Sequence, residues 1–218
     1  YMAYAQKPQL TSPAGNALYP SLTVPDMGPN DAWQGSGGKY NVKLLMDPDD
    51  CKEFIAEIDR LYDENYAEQC KKADKKTLKK ANKPYSEHTD KDGNPSGMIQ
   101  FTFSMKAKGT TKTGEQFDRK PKFFGPDGGT IPFEKVPLLG NGSVLKVSHF
   151  IDGWNVSSSG AGVSLRIRGV QILKVIERDT GGNAEDHGFS SEGEALKTAP
   201  TPMAEAVAAD VEEGDHEF

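Results

Sequence analysis

At 218 residues the chain has room for one domain of ordinary size and an appendage, and its 26 basic against 32 acidic residues leave a formal charge of −6. Two cysteines build no disulfide framework, and no apolar run approaches the roughly 18 residues that a membrane span requires. With no charged stretch leading into an apolar one near the start, a soluble intracellular protein without a membrane anchor is expected.

Within residues 10–46 the apolar pieces NALYPSLTV and KYNVKLLM flank PDMGPNDAWQGSGG, whose Gly, Pro, Asn and Asp density predicts strand, long loop, strand. From Asp49 the period changes. Cys51, Phe54, Ile55, Ile58, Leu61, Tyr62 and Tyr66 recur at steps of three and four, one face of a helix, with Asp47 and Asp49 flanking Pro48 at its start. Lysines 71, 72, 75, 76, 79, 80 and 83 extend that helix as a basic stripe up to Pro84, and Cys70 falls on it about 28 Å from Cys51, beyond disulfide reach.

After a turn-rich segment, Ile99, Phe101, Phe103, Met105 and Ala107 alternate with Gln100, Thr102, Ser104, Lys106 and Lys108, which predicts a half-buried strand with a polar, partly basic face. GTTKTGE reads as a hairpin connection into QFDRKPKFF, and SVLKVSHFI and GVSLRIRGVQILKVIE follow as two further strands. In the last of these Val163, Leu165 and Ile167 alternate with Ser164, Arg166 and Arg168 until Gly169 breaks the parity and predicts a bulge. About six strands with one helix between the second and third make a mainly β chain, a small curled antiparallel barrel.

Beyond Arg178 the apolar pattern stops. Residues 1–178 hold 25 Lys and Arg against 21 Asp and Glu, a net of +4, while residues 179–218 hold one Lys against 11 carboxylates, a net of −10. A domain over 1–178 and a disordered acidic tail over 179–218 are expected, because the tail has too little apolar surface to offset its ordering entropy.

Signals of catalysis fail one by one. GSGGKY lacks the first glycine of a phosphate loop, where Trp33 stands, and the hydroxyl residue after Lys39, where Tyr40 stands. DKDGN places its glycine two positions too early for a calcium loop and reads as a turn. His88, His149, His187 and His216 are scattered, and neither cysteine belongs to a closely spaced pair, so neither a metal nor another cofactor is expected. The chain is expected not to be an enzyme; a divergent nuclease is the weak rival.

What remains is basic strand faces interleaved with aromatic rings. Lys43, Lys106, Lys108, Lys112, Arg119, Lys120, Lys122, Arg166 and Arg168 fall on outward strand positions or the connections between them, and Trp33, Tyr40, Phe123, Phe124 and Trp154 sit in or beside connections. Cations that track phosphates and flat rings that stack unpaired bases are what single-stranded nucleic acid requires, whereas a duplex exposes no base faces. The plainer reading makes these cations solubilising groups on sheet edges, and Trp154 a core residue. The sequence closes on DVEEGDHEF, five carboxylates in nine residues before a terminal aromatic ring. Such a tail can compete for the basic groove, and Asp210, Glu212, Glu213, Asp215, Glu217 and Phe218 suit an apolar pocket rimmed by cations on another protein. Simple solubilisation is the alternative.

The stretches LTSPAGNALYPSLTVPD, GKYNVKLLM, VPLLGNGSVLKV and WNVSSSGAGVSLRIRGVQILKV, followed by an acidic end in Phe, make the chain similar to phage-encoded single-stranded DNA-binding proteins of the podovirus type. That resemblance implies an oligonucleotide-binding (OB-fold) barrel, coating of single strands in DNA replication and recombination, strand annealing and dimerisation. It further implies recruitment of phage or host replication proteins by the tail carboxylates and Phe218, a place for Trp154 at the DNA, and action in the cytoplasm of the infected bacterial host. A protein-interaction hub whose barrel binds RNA or duplex DNA is the other reading.

Overall fold

The computed structural model describes residues 9–32, 35, 37–74, 77–110 and 114–178. All of them belong to one compact unit, Tyr1–Asp179; Thr180–Phe218 form the other unit and lie outside the described residues. In chain order the elements are β1 (Leu10–Thr11), β2 (Gly15–Asp26), β3 (Lys39–Met46), α1 (Lys52–Lys72), β4 (Tyr85–Thr89), β5 (Pro95–Lys106), β6 (Lys108–Thr110), β7 (Gln116–Asp118), β8 (Lys122–Phe124), β9 (Thr130–Ile131), β10 (Val144–Val156) and β11 (Gly160–Lys174). Antiparallel pairing joins β10 to β2, β2 to β3, β3 to β5 and β11 to β10. A parallel pairing of β5 with β11 completes the ring, so five strands close on themselves. The expected mainly β barrel with one helix between its second and third strands is thus what the chain forms, but its closure is parallel. β1, β4, β8 and β9 lengthen the sheet around the ring, and β6 and β7 make a separate hairpin.

Alternation along the strands builds the core. Tyr40, Val42, Leu44 and Met46 of β3 face Phe101, Phe103 and Met105 of β5 inside the barrel, together with Leu145 and Val147 of β10 and Val163, Leu165 and Ile167 of β11. Helix α1 lays Phe54, Ile58, Tyr62 and Asn65 on this core, with Cys51 buried at its N-cap. Phe54 meets Phe101 with ring centroids 5.0 Å apart. The bulge expected near Gly169 is present: Ser148 pairs with Gly169 but His149 pairs with Ile167, so Arg168 is the extra residue. Beyond it the inward parity passes to Val170 and Ile172. Asp90 closes the turn expected in DKDGN by accepting the amides of Asp92 and Asn94 at 2.9 and 2.8 Å.

The helix is shorter than the lysine beat implies. It ends at Lys72, Ala73 caps it, and Asp74 turns into the left-handed region at φ 50. Lys75 and Lys76 lie outside the described residues. The chain from Leu78 to Ala81 instead runs along β11: Ala161 donates to the Lys79 carbonyl at 2.8 Å, and Ala81 donates to the Ala161 carbonyl at 2.9 Å. The Tyr66 hydroxyl clamps Leu78 through both its amide and its carbonyl, at 3.1 and 2.9 Å. These tertiary bonds outbid the local charge pattern, which would crowd like charges along one helix face. Gly160 makes the contact possible. Its φ of +95 is costly for other residues, and a Cβ there would collide with the Lys79 carbonyl oxygen.

His149 is fully buried between the Phe54 and Phe103 rings, at centroid distances of 5.4 and 5.2 Å. Its Nδ1 lies 3.0 Å from the Val147 carbonyl, while Nε2 has no partner among the described residues. Burial therefore holds its pKa below the usual imidazole range. The unfolded chain takes up the proton first, at about pH 6.5. The stability that neutral His149 contributes is accordingly full above that pH and is lost as pH falls through the folded-state value. Urea midpoints should drop between about pH 7.5 and pH 5.5, and His149→Phe should shrink that drop. An unchanged drop in the variant would assign the dependence to other groups.

Candidate nucleic-acid interface

Bringing β7, β8, β10 and β11 together gathers cations that are far apart in sequence. Arg119 and Lys120 follow β7, Lys122 opens β8, and Arg166 and Arg168 occupy outward positions on β11. All five are exposed and line one open groove of about 550 Å³ with Phe150 of β10, where Asp118 is the only carboxylate among the described lining residues. The connection is held in place by the Arg119 amide, which donates to the Ala107 carbonyl at 2.7 Å. The bulge presents Arg168 outward, and its guanidinium lies 4.7 Å from the centre of the Phe150 ring. Arg119 covers Phe117 in the same way at 3.9 Å, and Lys120 sits 4.7 Å from the Phe133 ring. Oxyanions of a phosphate backbone fit such a groove, and rings beneath guanidinium planes can stack bases.

Other cations continue the outer face of the barrel. Ser104 of β5 pairs with Arg166 and also, on its other side, with Asn41, while Lys39 pairs with Lys106 and Lys43 with Thr102. Lys106 is exposed and Lys43 half-buried on that face. Lys108 stands apart, exposed on the β6–β7 hairpin opposite Asp118 with its side chain against Gly37. Lys112 and Trp33 lie outside the described residues, as do Asp210, Glu212, Glu213, Asp215, Glu217 and Phe218.

Two expected stacking rings belong to the core. Tyr40, 4% exposed, alternates inward with Val42 and meets Phe133 edge-on at 6.2 Å. Burial, with Asp118 adding to it, raises its phenol above the ordinary range. Phe123, 1% exposed, pairs with Val170 and packs on Phe133 at 5.9 Å. In both cases strand parity decided against exposure: a ring at an inward position gains more by leaving water than by waiting for a base. Trp154 is half-buried on the outward side of β10, its indole lying over Gly162, where a Cβ would come within 3.0 Å of it. The indole Nε1 is buried without a partner among the described residues. Phe150, which replaces the two lost rings, was signalled by the same alternation, since Leu145, Val147 and His149 point inward and Phe150 must point out.

No curated protein sequence matches the chain. Solved structures do share its fold. The single-stranded DNA-binding protein gp2.5 encoded by bacteriophage T7 is 24% identical with a TM-score of 0.64, over 88% of this chain and 100% of that one. A C-terminally truncated single-stranded DNA-binding protein from bacteriophage Enc34 is 16% identical with a TM-score of 0.53, over 78% of this chain and 88% of that one. The Enc34 protein in complex with single-stranded DNA gives 18% identity and a TM-score of 0.51 over the same shares, 78% and 88%. The family model described as single-stranded DNA-binding protein, bacteriophage T7, matches residues 14–175, the whole barrel with its helix. The chain therefore belongs to the family of the bacteriophage T7 single-stranded DNA-binding protein.

Proposed function

We propose that this protein binds and coats single-stranded DNA during phage DNA replication, without catalysis, through the groove between β8, β10 and β11. The observation that carries the reading is the convergence of Arg119, Lys120, Lys122, Arg166 and Arg168 beside the outward Phe150 ring. Family membership supports it, as does a shared fold with an Enc34 protein solved with single-stranded DNA. Lys43 and Lys106 extend the phosphate track along the same face, and Trp154 adds a second ring. The net −10 of residues 179–218 makes that segment a competitor for the groove and a docking element for phage or host replication proteins through Phe218. Strand annealing, a role in recombination, dimer formation and action in the cytoplasm of the infected host complete the reading.

Titration of labelled single- and double-stranded oligonucleotides of equal length, at one salt concentration, tests it on the full chain and on a chain ending at Arg178. The full chain should prefer single strands, and truncation should tighten that binding several-fold while keeping the preference. Equal affinity for duplex in both chains would favour the interaction-hub reading. Unchanged affinity on truncation would remove the competing tail and leave only its docking role.

A further inference from the structure

Along the outward row of β10, Asp152 stands between Phe150 and Trp154, two residues from each. Its Oδ2 lies 2.6 Å from Nη2 of Arg166. The pair runs diagonally across the ladder, because Arg166 is paired with Phe150 and Asp152 with Ser164. The two partners differ in freedom. The Asp152 side chain is 11% exposed and short, on a strand paired with β11 at Ser164, whereas the Arg166 side chain is 50% exposed and long. Among the described residues, Arg166 is the one cation of the groove's five that a carboxylate holds in an ion pair.

We infer that Asp152 is a built-in phosphate surrogate: in the protein without DNA its carboxylate occupies Arg166, and a strand phosphate has to take over that guanidinium. The inference rests on the groove being the DNA site. Carboxylate and phosphate compete for the same N–H fork of an arginine. A cation already neutralised by its own chain has no condensed phosphate charge to replace, so Arg166 adds little to the salt-dependent part of affinity. A phosphate that does recruit Arg166 takes that guanidinium from Asp152 and brings its own negative charge close to the carboxylate. Asp152 thereby caps the affinity of the groove, which keeps strand coating reversible, and it does so at the point where Phe150 and Trp154 would hold bases.

Binding of a labelled single-stranded oligonucleotide by the full chain, followed from about 50 to about 200 mM salt, tests this with four variants. Asp152→Asn should tighten binding several-fold at the lowest salt and steepen the slope of log K against log salt by about 0.7, one additional phosphate contact. Arg166→Gln removes the guanidinium but keeps the Asp152 carboxylate beside the strand and should weaken binding. Combining Asp152→Asn with Arg166→Gln should return both affinity and slope to near those of the unaltered chain. Asp152→Asn with an unaltered slope and an unaltered thermal midpoint overturns the inference. Should Asp152→Asn fold poorly, the comparison of Arg166→Gln with the double variant decides instead, and Arg166→Gln binding as tightly as the unaltered chain overturns it equally. Arg168→Gln separates the two levels of the argument. If it weakens binding and Asp152→Asn does not move the slope, the surrogate fails alone; if Arg168→Gln has no effect, the groove is not the DNA site and the surrogate falls with it.

Discussion

Replacing Arg119, Lys120, Lys122 and Arg168 together by glutamine should weaken binding of a single-stranded oligonucleotide about a hundredfold or more at low salt, and flatten the slope of log K against log salt by nearly 3. Each phosphate contact on a single strand contributes about 0.7 to that slope, and these four cations line one groove without a carboxylate holding any of them among the described residues. Arg166 is left out because Asp152 already neutralises it. All four side chains are exposed, so the thermal midpoint should move little. Arg168 and Arg119 also cover the Phe150 and Phe117 rings, and glutamine retains part of that cover. Fluorescence titration over a salt series measures affinity and slope together. Retention of the full slope would place the phosphates elsewhere, with Lys43 and Lys106 on the neighbouring face as the first candidates.

Phe103→Ala should destabilise the barrel by about 3–5 kcal/mol without changing the groove's charge. Phe103 of β5 is fully buried where four other elements meet: it pairs with Val42 of β3 and Leu165 of β11, and its ring lies 6.4 Å from Phe54 of α1 and 5.2 Å from His149 of β10. Those neighbours belong to a closed ring of strands, so they cannot collapse into the space left, and the cavity term adds to the lost transfer energy. Against a total of about 5–15 kcal/mol for an ordinary domain, that is a large fraction. Urea denaturation should show a lower midpoint with an unchanged m-value. A loss under about 1 kcal/mol would mean that the site relaxes, contrary to the closed-ring argument.

The sheet's alternation was legible in the sequence because side-chain direction along a strand has a strict period of two. Ile99 to Ala107 and Val163 to Ile167 fall inward, with Lys106, Arg166 and Arg168 outward, as that period requires. The bulge at Gly169 was legible for the same reason, as a break in the parity. The same rule applied to KYNVKLLM places Tyr40 with Val42, Leu44 and Met46 inside, and Tyr40 does lie in the core, so strand parity is a stronger signal there than the neighbouring loop. The helix end was not legible, because what stops it at Lys72 is a backbone pairing of Lys79 and Ala81 with Ala161, some eighty residues away along the chain.

The candidate site divides along the same line. Its ingredients, exposed cations on strands and in the connection after β7, were determined by the sequence alone, since charge seeks water wherever the chain leaves it a choice. Their union was decided by tertiary structure. Residues 119–122, Phe150 and residues 166–168 share a groove because β11 exchanges β5 for β8 as its parallel neighbour, and local sequence carries no signal for that exchange. The Asp152–Arg166 pair likewise depends on the register of β10 against β11 around the bulge. A one-residue slip would turn both side chains to the other face, and only the packing of the closed barrel sets that register.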